Sequence, residues 1–150
     1  MIFEIPGNPI AKARHRTVRV KGQSLSYDPQ SKEKELVKNR LKYLLKCACL
    51  SEDTQISKEA LRLRFGDKYS LTIESYHQIP KSAPSALKMR IEGGLVEYHN
   101  VKPDADNIYK FYCDCGNGIL YPDDSKIVEG SFKKTYSKNP RVVISIQRLE

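Results

Sequence analysis

Apolar residues recur at helical spacing between about residues 30 and 49, and they predict the longest helix of the chain. The apolar positions are Leu36, Val37, Leu41, Leu44, Leu45 and Ala48, while Lys32, Lys34, Lys38, Lys42 and Lys46 fall mostly on the opposite face. Asp28-Pro29 precedes this segment and indicates a helix start, with a capping carboxylate followed by proline at the first helical position. A solvated face explains the lysines better than direct DNA contact does.

The remaining pattern predicts short strands and helices around this element. We expect strands at 2–5, 69–76, 126–136 and 141–148, a small hairpin over 17–27 with Gly22 in its turn, a helical turn near 57–62, and helices at 85–92 and 106–115. The strand at 69–76 alternates cleanly and should be half exposed. This order of elements predicts an α+β fold, a single domain over residues 1–150 in which a small mixed sheet packs against two main helices.

Composition narrows the class of protein. The chain has 150 residues, 39% of them hydrophobic, which is enough to form a core and excludes general disorder. It has no apolar run of about 20 residues and its start lacks the pattern of a secretory signal, so we expect a soluble cytoplasmic protein. The formal net charge is +8, which favours a polyanionic partner, nucleic acid first.

The charge is unevenly distributed along the chain. Residues 1–46 hold eleven of the 26 basic residues and only four acidic ones. Residues 104–124 hold five aspartates and a single basic residue, Lys110. A basic protein that concentrates acid in one short segment is expected to use that segment for chemistry.

Four cysteines form two C-x-C pairs, Cys47/Cys49 and Cys113/Cys115. Disulfides are disfavoured without a secretory signal, and a one-residue spacing is not that of zinc knuckles. Both pairs lie in helix-like segments, where one cysteine of each should face the core. Reduced thiols are therefore favoured over a zinc site.

The segment that leads to the helix at 106–115 carries the candidate chemistry. Lys102 precedes a proline, which favours an extended backbone, so Asp104 and Asp106 should share a face. Asp106 or Asn107 can cap the helix, and Lys110 follows one turn later. Two neighbouring carboxylates repel each other unless a cation lies between them, and oxygen ligands favour Mg²⁺ or Mn²⁺.

A second acidic pair, Asp123-Asp124, follows at a distance that allows it to join the first. A turn at 116–118 would bring it back toward Asp104 and Asp106. Each aspartate alone is better explained as a cap or turn residue. Three or four carboxylates from two segments, with a lysine beside them, favour a metal site able to activate water.

These residues resemble the RusA family of Holliday junction resolvases. The resemblance is carried by Lys102-Pro103-Asp104-x-Asp106-Asn107-x-x-Lys110, Asp114, Asn117-Gly118, Asp123-Asp124-Ser125-Lys126-Ile127, the start Ile5-Pro6-Gly7-x-Pro9-x-Ala11-Lys12-x-Arg14-x-Arg16, Tyr27-x-Pro29, and the ending Lys133/Lys134…Pro140-Arg141. It spans most of the chain. Two departures are His15, where the family usually has proline, and Cys115-Gly116 in place of Ala-Leu, and neither removes a presumed metal ligand.

The resemblance implies a Mg²⁺-dependent endodeoxyribonuclease of bacterial or phage origin that acts as a homodimer and nicks four-way DNA junctions symmetrically. It assigns the acidic triad to Asp104, Asp106 and Asp124 and the active-site lysine to Lys110. Lys110 would stabilise the charge of the transition state, or form an ion pair with Asp106 or Asp114, roles that are compatible. The basic residues Lys12, Arg14 and Arg16 alternate in a loop bounded by prolines and can follow a phosphate backbone.

The other polar residues receive smaller roles. Asp114 is expected to be structural, and Asp123 either assists the triad or only solvates the turn. No catalytic role is assigned to His15, His77 or His99, and His77 is expected on the surface. The alternatives are a different metal-dependent nuclease or phosphodiesterase acting on branched DNA or RNA, a non-catalytic DNA-binding module, and a zinc-ribbon-like protein built on the cysteines.

Overall fold

A computed structural model describes residues 1–63 and 65–150. The helices are α1 (Ser31–Cys49), α2 (Thr54–Leu63), α3 (Ser85–Glu92) and α4 (Ala105–Gly116). The strands are β1 (Ile2–Pro6), β2 (Arg16–Val20), β3 (Gln23–Tyr27), β4 (Tyr69–Gln78), β5 (Ile127–Ser137) and β6 (Arg141–Arg148), and a 3₁₀ turn, η1, spans Asp124–Lys126. The predicted α+β fold is confirmed.

Four strands form a mixed sheet in the order β1-β6-β4-β5. β6 pairs antiparallel with both β1 and β4, whereas β4 and β5 run parallel. Parallel neighbours need a crossover connection, and here the connection contains α3 and α4. The crossover places α4 before η1 and β5 in the chain, and η1 packs against α4.

The core lies between one face of this sheet and the helices. Alternate residues of β4, from Tyr69 to His77, are buried, as period-two alternation requires. Tyr69 is completely buried, and its hydroxyl donates to the carbonyl of Leu63. The other fully buried large side chains are Phe111, Leu41, Leu63, Leu71, Ile73, Ile108, Leu120, Ile144, Ile146 and Val142.

Helix α1 matches its predicted range, with two corrections. Val37, Leu41 and Leu45 are buried, but Leu36 is 71% exposed because it falls just outside the face that packs on the core. The helix begins at Ser31 rather than at Pro29. Asp28 accepts instead from the backbone N–H of Gln30 and from Lys34, so it closes a turn before the helix.

The described residues contain four helices, which are the two predicted main helices, the predicted short helix over 85–92 and α2. The predicted helical turn near 57–62 is part of the ten-residue α2, which packs against α1. The expectation that one cysteine of each pair faces the core holds for the first pair, because Cys47 is exposed and Cys49 packs against the core, but it was wrong for Cys113 and Cys115, which are both buried. The sheet and α1 cover a wide arc of α4, which includes both cysteine positions.

The hairpin of β2 and β3 forms a separate two-stranded sheet. Its turn contains Lys21 and Gly22 at φ +50° and +81°, as a tight connection requires. All ten strand residues are exposed. Within residues 1–63 and 65–150, no helix is long and apolar enough to cross a membrane.

Candidate active site

Helix α4 carries three of the four candidate catalytic residues on its exposed side. Ile108, Phe111 and Tyr112 fix its opposite side in the core. The helix begins at Ala105, so Asp104 occupies the N-cap position in an extended conformation, and the prediction that Asp106 or Asn107 caps it was wrong. Asp104, Asp106 and Lys110 are all exposed, with Asp106 in the first turn.

The segment 8–13, which precedes the hairpin in the chain, is bonded to α4. The Lys12 N–H donates to the carbonyl of Asn107 at 2.8 Å, and the Ile10 N–H donates to the hydroxyl of Tyr112 at 3.2 Å. The Lys12 ammonium lies 2.7 Å from Asp114, which also pairs with Lys34 at 3.4 Å. Asp114 therefore ties the basic segment and α1 to α4, as its expected structural role requires.

Asp124 is brought to α4 by the 3₁₀ turn. Asp123 caps that turn, because its carboxylate accepts from the Ser125 N–H at 2.9 Å. The turn packs against α4. Burial raises the pKa of the Cys113 thiol to about 11, and the negative charge of Asp124 adds to that shift, so Asp124 lies within electrostatic reach of the helix.

Tyr121 and Gly116 fix the connection between α4 and η1. The Tyr121 hydroxyl donates to the carbonyl of Cys113 at 2.8 Å, and the Gly118 N–H donates to the carbonyl of Tyr121 at 2.8 Å. A Cβ at position 116 would lie 2.7 Å from the Tyr121 hydroxyl oxygen. The glycine that departs from the family pattern thus makes room for the tyrosine, and the turn predicted over 116–118 is present.

Lys134 holds the segment that leads into Asp104. Its ammonium donates to the carbonyls of Val101 at 2.7 Å and Pro103 at 2.5 Å. Its own backbone carbonyl accepts from the N–H of His99 at 3.1 Å. Partial burial lowers the pKa of Lys134, and the carboxylate of Asp104 opposes that shift, so the two charges are near each other.

Two histidines are buried beneath this segment, and the expectation that His77 lies on the surface was wrong. The rings of His77 and His99 stack with centroids 3.9 Å apart, and only 6% and 9% of the two residues is exposed. Ser75 lies 3.1 Å from His77 Nε2. Burial, together with the neighbouring His99 and Lys134, lowers the pKa of His77 to about 4.

The chemistry of the acidic residues fits a divalent cation, but the structure does not bring them into one closed site. Among residues 1–63 and 65–150, no three His, Cys, Asp or Glu side chains meet closely enough to hold a metal ion together. Since cysteine is among these side chains, the same residues also contain no group of cysteines that could hold a zinc ion. Carboxylate oxygens are nevertheless the ligands that Mg²⁺ and Mn²⁺ prefer, and Mg²⁺ is commonly held by one or two carboxylates, waters and substrate phosphate.

The structure gathers the predicted residues into two groups. Asp104, Asp106 and Lys110 lie on α4 with Asp124 on the adjoining turn. Arg14 and Arg16 lie at the base of the exposed hairpin, whereas Lys12 is engaged by Asp114. Sequence reasoning missed the links that Lys134 and the two histidines make. The core-facing alternation that continues from Tyr69 to His77 was a usable signal for His77.

Comparison with known proteins identifies the family. A protein of Bacillus subtilis (strain 168), described as "Uncharacterized protein YqaN", is 35% identical over 82 residues, which cover 53% of this chain and 57% of that protein. Residues 6–147 match the family described as Endodeoxyribonuclease RusA. That match includes both acidic segments, the basic loop and strands β4, β5 and β6 up to residue 147, whereas of β1 it includes only Pro6. The chain belongs to the RusA family.

Proposed function

We propose that this protein is a divalent-metal-dependent endodeoxyribonuclease that resolves four-way DNA junctions by paired, symmetric nicks. The observation that carries the proposal is the placement of Asp104, Asp106 and Lys110 on the exposed side of α4, beside the turn that begins with Asp124, in a chain of the RusA family. An open acidic surface suits a polymeric substrate, because DNA must reach it from outside.

Asp104, Asp106 and Asp124 are the residues that would hold Mg²⁺, with Mn²⁺ as a possible replacement. When bound, the ion supplies Lewis-acid polarisation of the scissile phosphate and lowers the pKa of the attacking water. The carboxylates come from the N-cap and first turn of α4 and from η1, which packs against α4. The scissile phosphate would complete the coordination that the protein leaves open.

Two features of the chain would supply positive charge near the reacting phosphate, namely the N-terminus of α4 and Lys110. The N-terminus of α4 presents its positive dipole end where the phosphate would lie, which favours an anion. Lys110 is one turn further along the helix, and its usual i+4 partner, Asp114, is engaged by Lys12 and Lys34. Its ammonium is therefore placed to stabilise the negative charge that develops in the transition state.

Paired nicks require two such sites related by symmetry. A homodimer with a two-fold axis would present one site to each of two opposing strands of a junction, which itself has two-fold symmetry. We include the dimer in the proposal because one chain carries one acidic surface and resolution needs two cuts.

The test is cleavage of a synthetic four-way junction by the purified full chain, with linear duplex as the control substrate. We expect Mg²⁺-dependent nicks at symmetric positions, lost by a factor of about 10³ or more in Asp104→Asn and in Asp124→Asn. Asp67→Asn removes an exposed aspartate outside the site and should cut as the unaltered protein does. Light scattering reports the mass of the assembly.

The other outcomes favour the alternatives. Equal cleavage of linear duplex or RNA would indicate a nuclease of different selectivity. Tight junction binding without cleavage in Mg²⁺ or Mn²⁺ would indicate a non-catalytic DNA-binding module. Cleavage in the presence of EDTA, or full activity in both aspartate variants, would contradict the proposed use of the carboxylates.

A further inference from the structure

The β2–β3 hairpin is the part of the molecule whose exposure the fold does not explain. All ten residues of its strands are exposed, and the ladder pairs only β2 with β3. Val18 lies directly opposite Leu25, and these side chains are 42% and 53% exposed. A two-stranded hairpin alone is only marginally stable in water, so this one is suited to a partner that covers it.

The charge of the residues between Glu4 and Asp28 indicates what kind of partner would bind the hairpin. Between Glu4 and Asp28 the sequence has no acidic residue, and it has five basic ones, Lys12, Arg14, Arg16, Arg19 and Lys21. Four of the five lie at the base, in the strands or at the tip of the hairpin, all of them exposed. An exposed ribbon of one charge sign complements a polyanion, and a two-stranded β-ribbon has the width to enter the major groove of DNA.

The two faces of the hairpin differ, and both would be used in a groove. One face presents Thr17, Arg19, Ser24 and Ser26, and the other, which is mostly apolar, presents Arg16, Val18, Val20, Gln23, Leu25 and Tyr27. Hydroxyl and guanidinium groups can bind phosphate and base edges, while the apolar face can pack on sugars and thymine methyl groups. A ribbon within a groove has a wall on each side, so neither face stays exposed.

The hairpin is also connected to the acidic site. The segment 8–13 just before it is bonded to α4 through Lys12 and Ile10. The same segment is fixed to the start of α1, because Gln30 accepts from the Ala13 N–H and donates to the Ala11 carbonyl. DNA held by the hairpin would therefore be held at a defined distance from Asp104 and Asp106.

We propose that the hairpin Arg16–Tyr27 is a DNA-binding ribbon that enters a groove of one duplex arm of the substrate, with Arg19 and Lys21 contacting phosphates. The inference rests on the proposed function and extends it, because it carries the DNA contact from Arg14 and Arg16 along the strands and turn of the hairpin. Lys12 belongs to the anchor of the ribbon rather than to its contact surface, since its ammonium is paired with Asp114.

The decisive measurement is the affinity of the full chain for a fluorescein-labelled four-way junction, followed by anisotropy in EDTA over a range of salt. The variant is Arg19→Gln with Lys21→Asn, since asparagine tolerates the positive φ at position 21. We expect the Kd to rise about tenfold and the slope of log Kd against log salt to fall by about 2. Lys58→Gln with Lys81→Gln removes the same charge from exposed positions elsewhere and should leave the slope unchanged.

A second variant separates DNA from a second copy of the chain as the partner. Val18→Ser with Leu25→Ser makes the apolar face polar. We expect weaker junction binding and an unchanged molecular mass by light scattering. A halved mass would assign the face to an interface between copies and overturn the proposal, as would a Kd for the Arg19/Lys21 variant equal to that of its control.

The results distinguish this inference from the proposed nuclease function. A protein that binds junctions through the hairpin but never cuts them would contradict the nuclease and leave the ribbon in place. A protein that cuts junctions with the same Kd and salt slope in the hairpin variant and its control would leave the nuclease and exclude the ribbon.

Discussion

Helix α4 and the β2–β3 hairpin are opposites in how the fold supports them. Six of the twelve residues of α4 are buried, whereas every strand residue of the hairpin is exposed. Catalytic groups must be held within a fraction of an ångström of their productive positions, which demands a buried, bonded scaffold. A DNA-holding arm must instead adapt to its substrate, and exposure permits that. The contrast is the one expected if, as proposed, α4 carries the chemistry and the hairpin binds DNA.

The support of α4 comes from several directions. Segment 8–13 bonds to it through Lys12, Tyr121 bonds to its last turn, and Tyr109 packs edge-on against Phe132 of β5. At Gly130 the approach is so close that a Cβ would lie 2.5 Å from the Tyr109 hydroxyl. Each contact reaches a different element, so the helix cannot shift without disturbing several of them.

The largest effect that would test this contrast is expected at Lys110. Lys110→Gln removes the ammonium and leaves the buried face of α4 untouched. Under the proposed function, the charge of the transition state then loses its partner while the fold is kept. We expect kcat for junction cleavage to fall by about 10²–10³ with the junction Kd within threefold of the unaltered protein. Single-turnover cleavage and anisotropy measure the two quantities.

The control for Lys110 is Lys58→Gln on α2, an exposed lysine outside the site. Lys110→Arg keeps the positive charge and should recover part of the lost rate. A Lys110→Gln protein that cuts within threefold of the normal rate would show that the lysine has no role in the chemistry and would weaken the division between the two regions.

For both regions, the sequence predicted the bounds of the helices and strands better than it predicted their burial and their long-range contacts. Periodicity gave α1, β4, α3, α4, β5 and β6 nearly to the residue, because each depends on local alternation and on caps or turns. It failed for Cys113 and Cys115, which are both buried because neighbouring elements cover a wide arc of α4. The Lys12–Asp114 ion pair joins positions about 100 residues apart, and no local pattern contains that information.

The candidate site likewise has features that the sequence predicts and features that only the fold shows. The identities of Asp104, Asp106, Lys110 and Asp124 could be proposed from spacing and from the family resemblance. The fold adds that Asp104 is the N-cap residue and that Asp123, not Asp124, caps the 3₁₀ turn. Which aspartate occupies the N-cap position depends on where a helix begins, and a shift of two residues in that boundary changes the assignment.

An intermediate effect is expected at Lys134, which is hydrogen-bonded to the segment that leads into Asp104. Lys134→Met leaves the carbonyls of Val101 and Pro103 without their donor, so the position of Asp104 should be less well fixed. Under the proposed function, we expect about tenfold weaker Mn²⁺ binding by electron paramagnetic resonance and about tenfold lower kcat, with KM for the junction unchanged.

Neighbouring Lys133 offers a matched control, because alternation directs its side chain to the other face of β5. Lys133→Met should bind Mn²⁺ normally, and Lys134→Arg, which can still donate to the carbonyls, should recover much of the affinity. Normal Mn²⁺ binding by Lys134→Met would mean that the segment before Asp104 keeps its place without this lysine.

The smallest expected effect is on the free energy of unfolding, and it arises at the stacked histidines, His77 and His99. His77 faces His99, Ser75 and Lys134, and burial lowers its pKa to about 4 in the folded state from about 6.5 in the unfolded chain. Between these values the unfolded chain binds a proton that the folded protein does not. The free energy of unfolding is therefore highest above pH 6.5 and falls as the pH drops toward 4.

From pH 7 to 5.5 this single group should lower the free energy of unfolding by about 1 kcal/mol, measured by urea denaturation. Other groups also titrate in this range, so the relevant quantity is the difference from His77→Gln, which should lose that part of the pH dependence. His15 is exposed, and His15→Gln should keep the full dependence. If His77→Gln and the unaltered protein lost the same free energy on acidification, His77 would not be held neutral by its burial. The stacked histidines would then be more open to solvent than the contrast between a buried, well-supported α4 and an exposed hairpin requires.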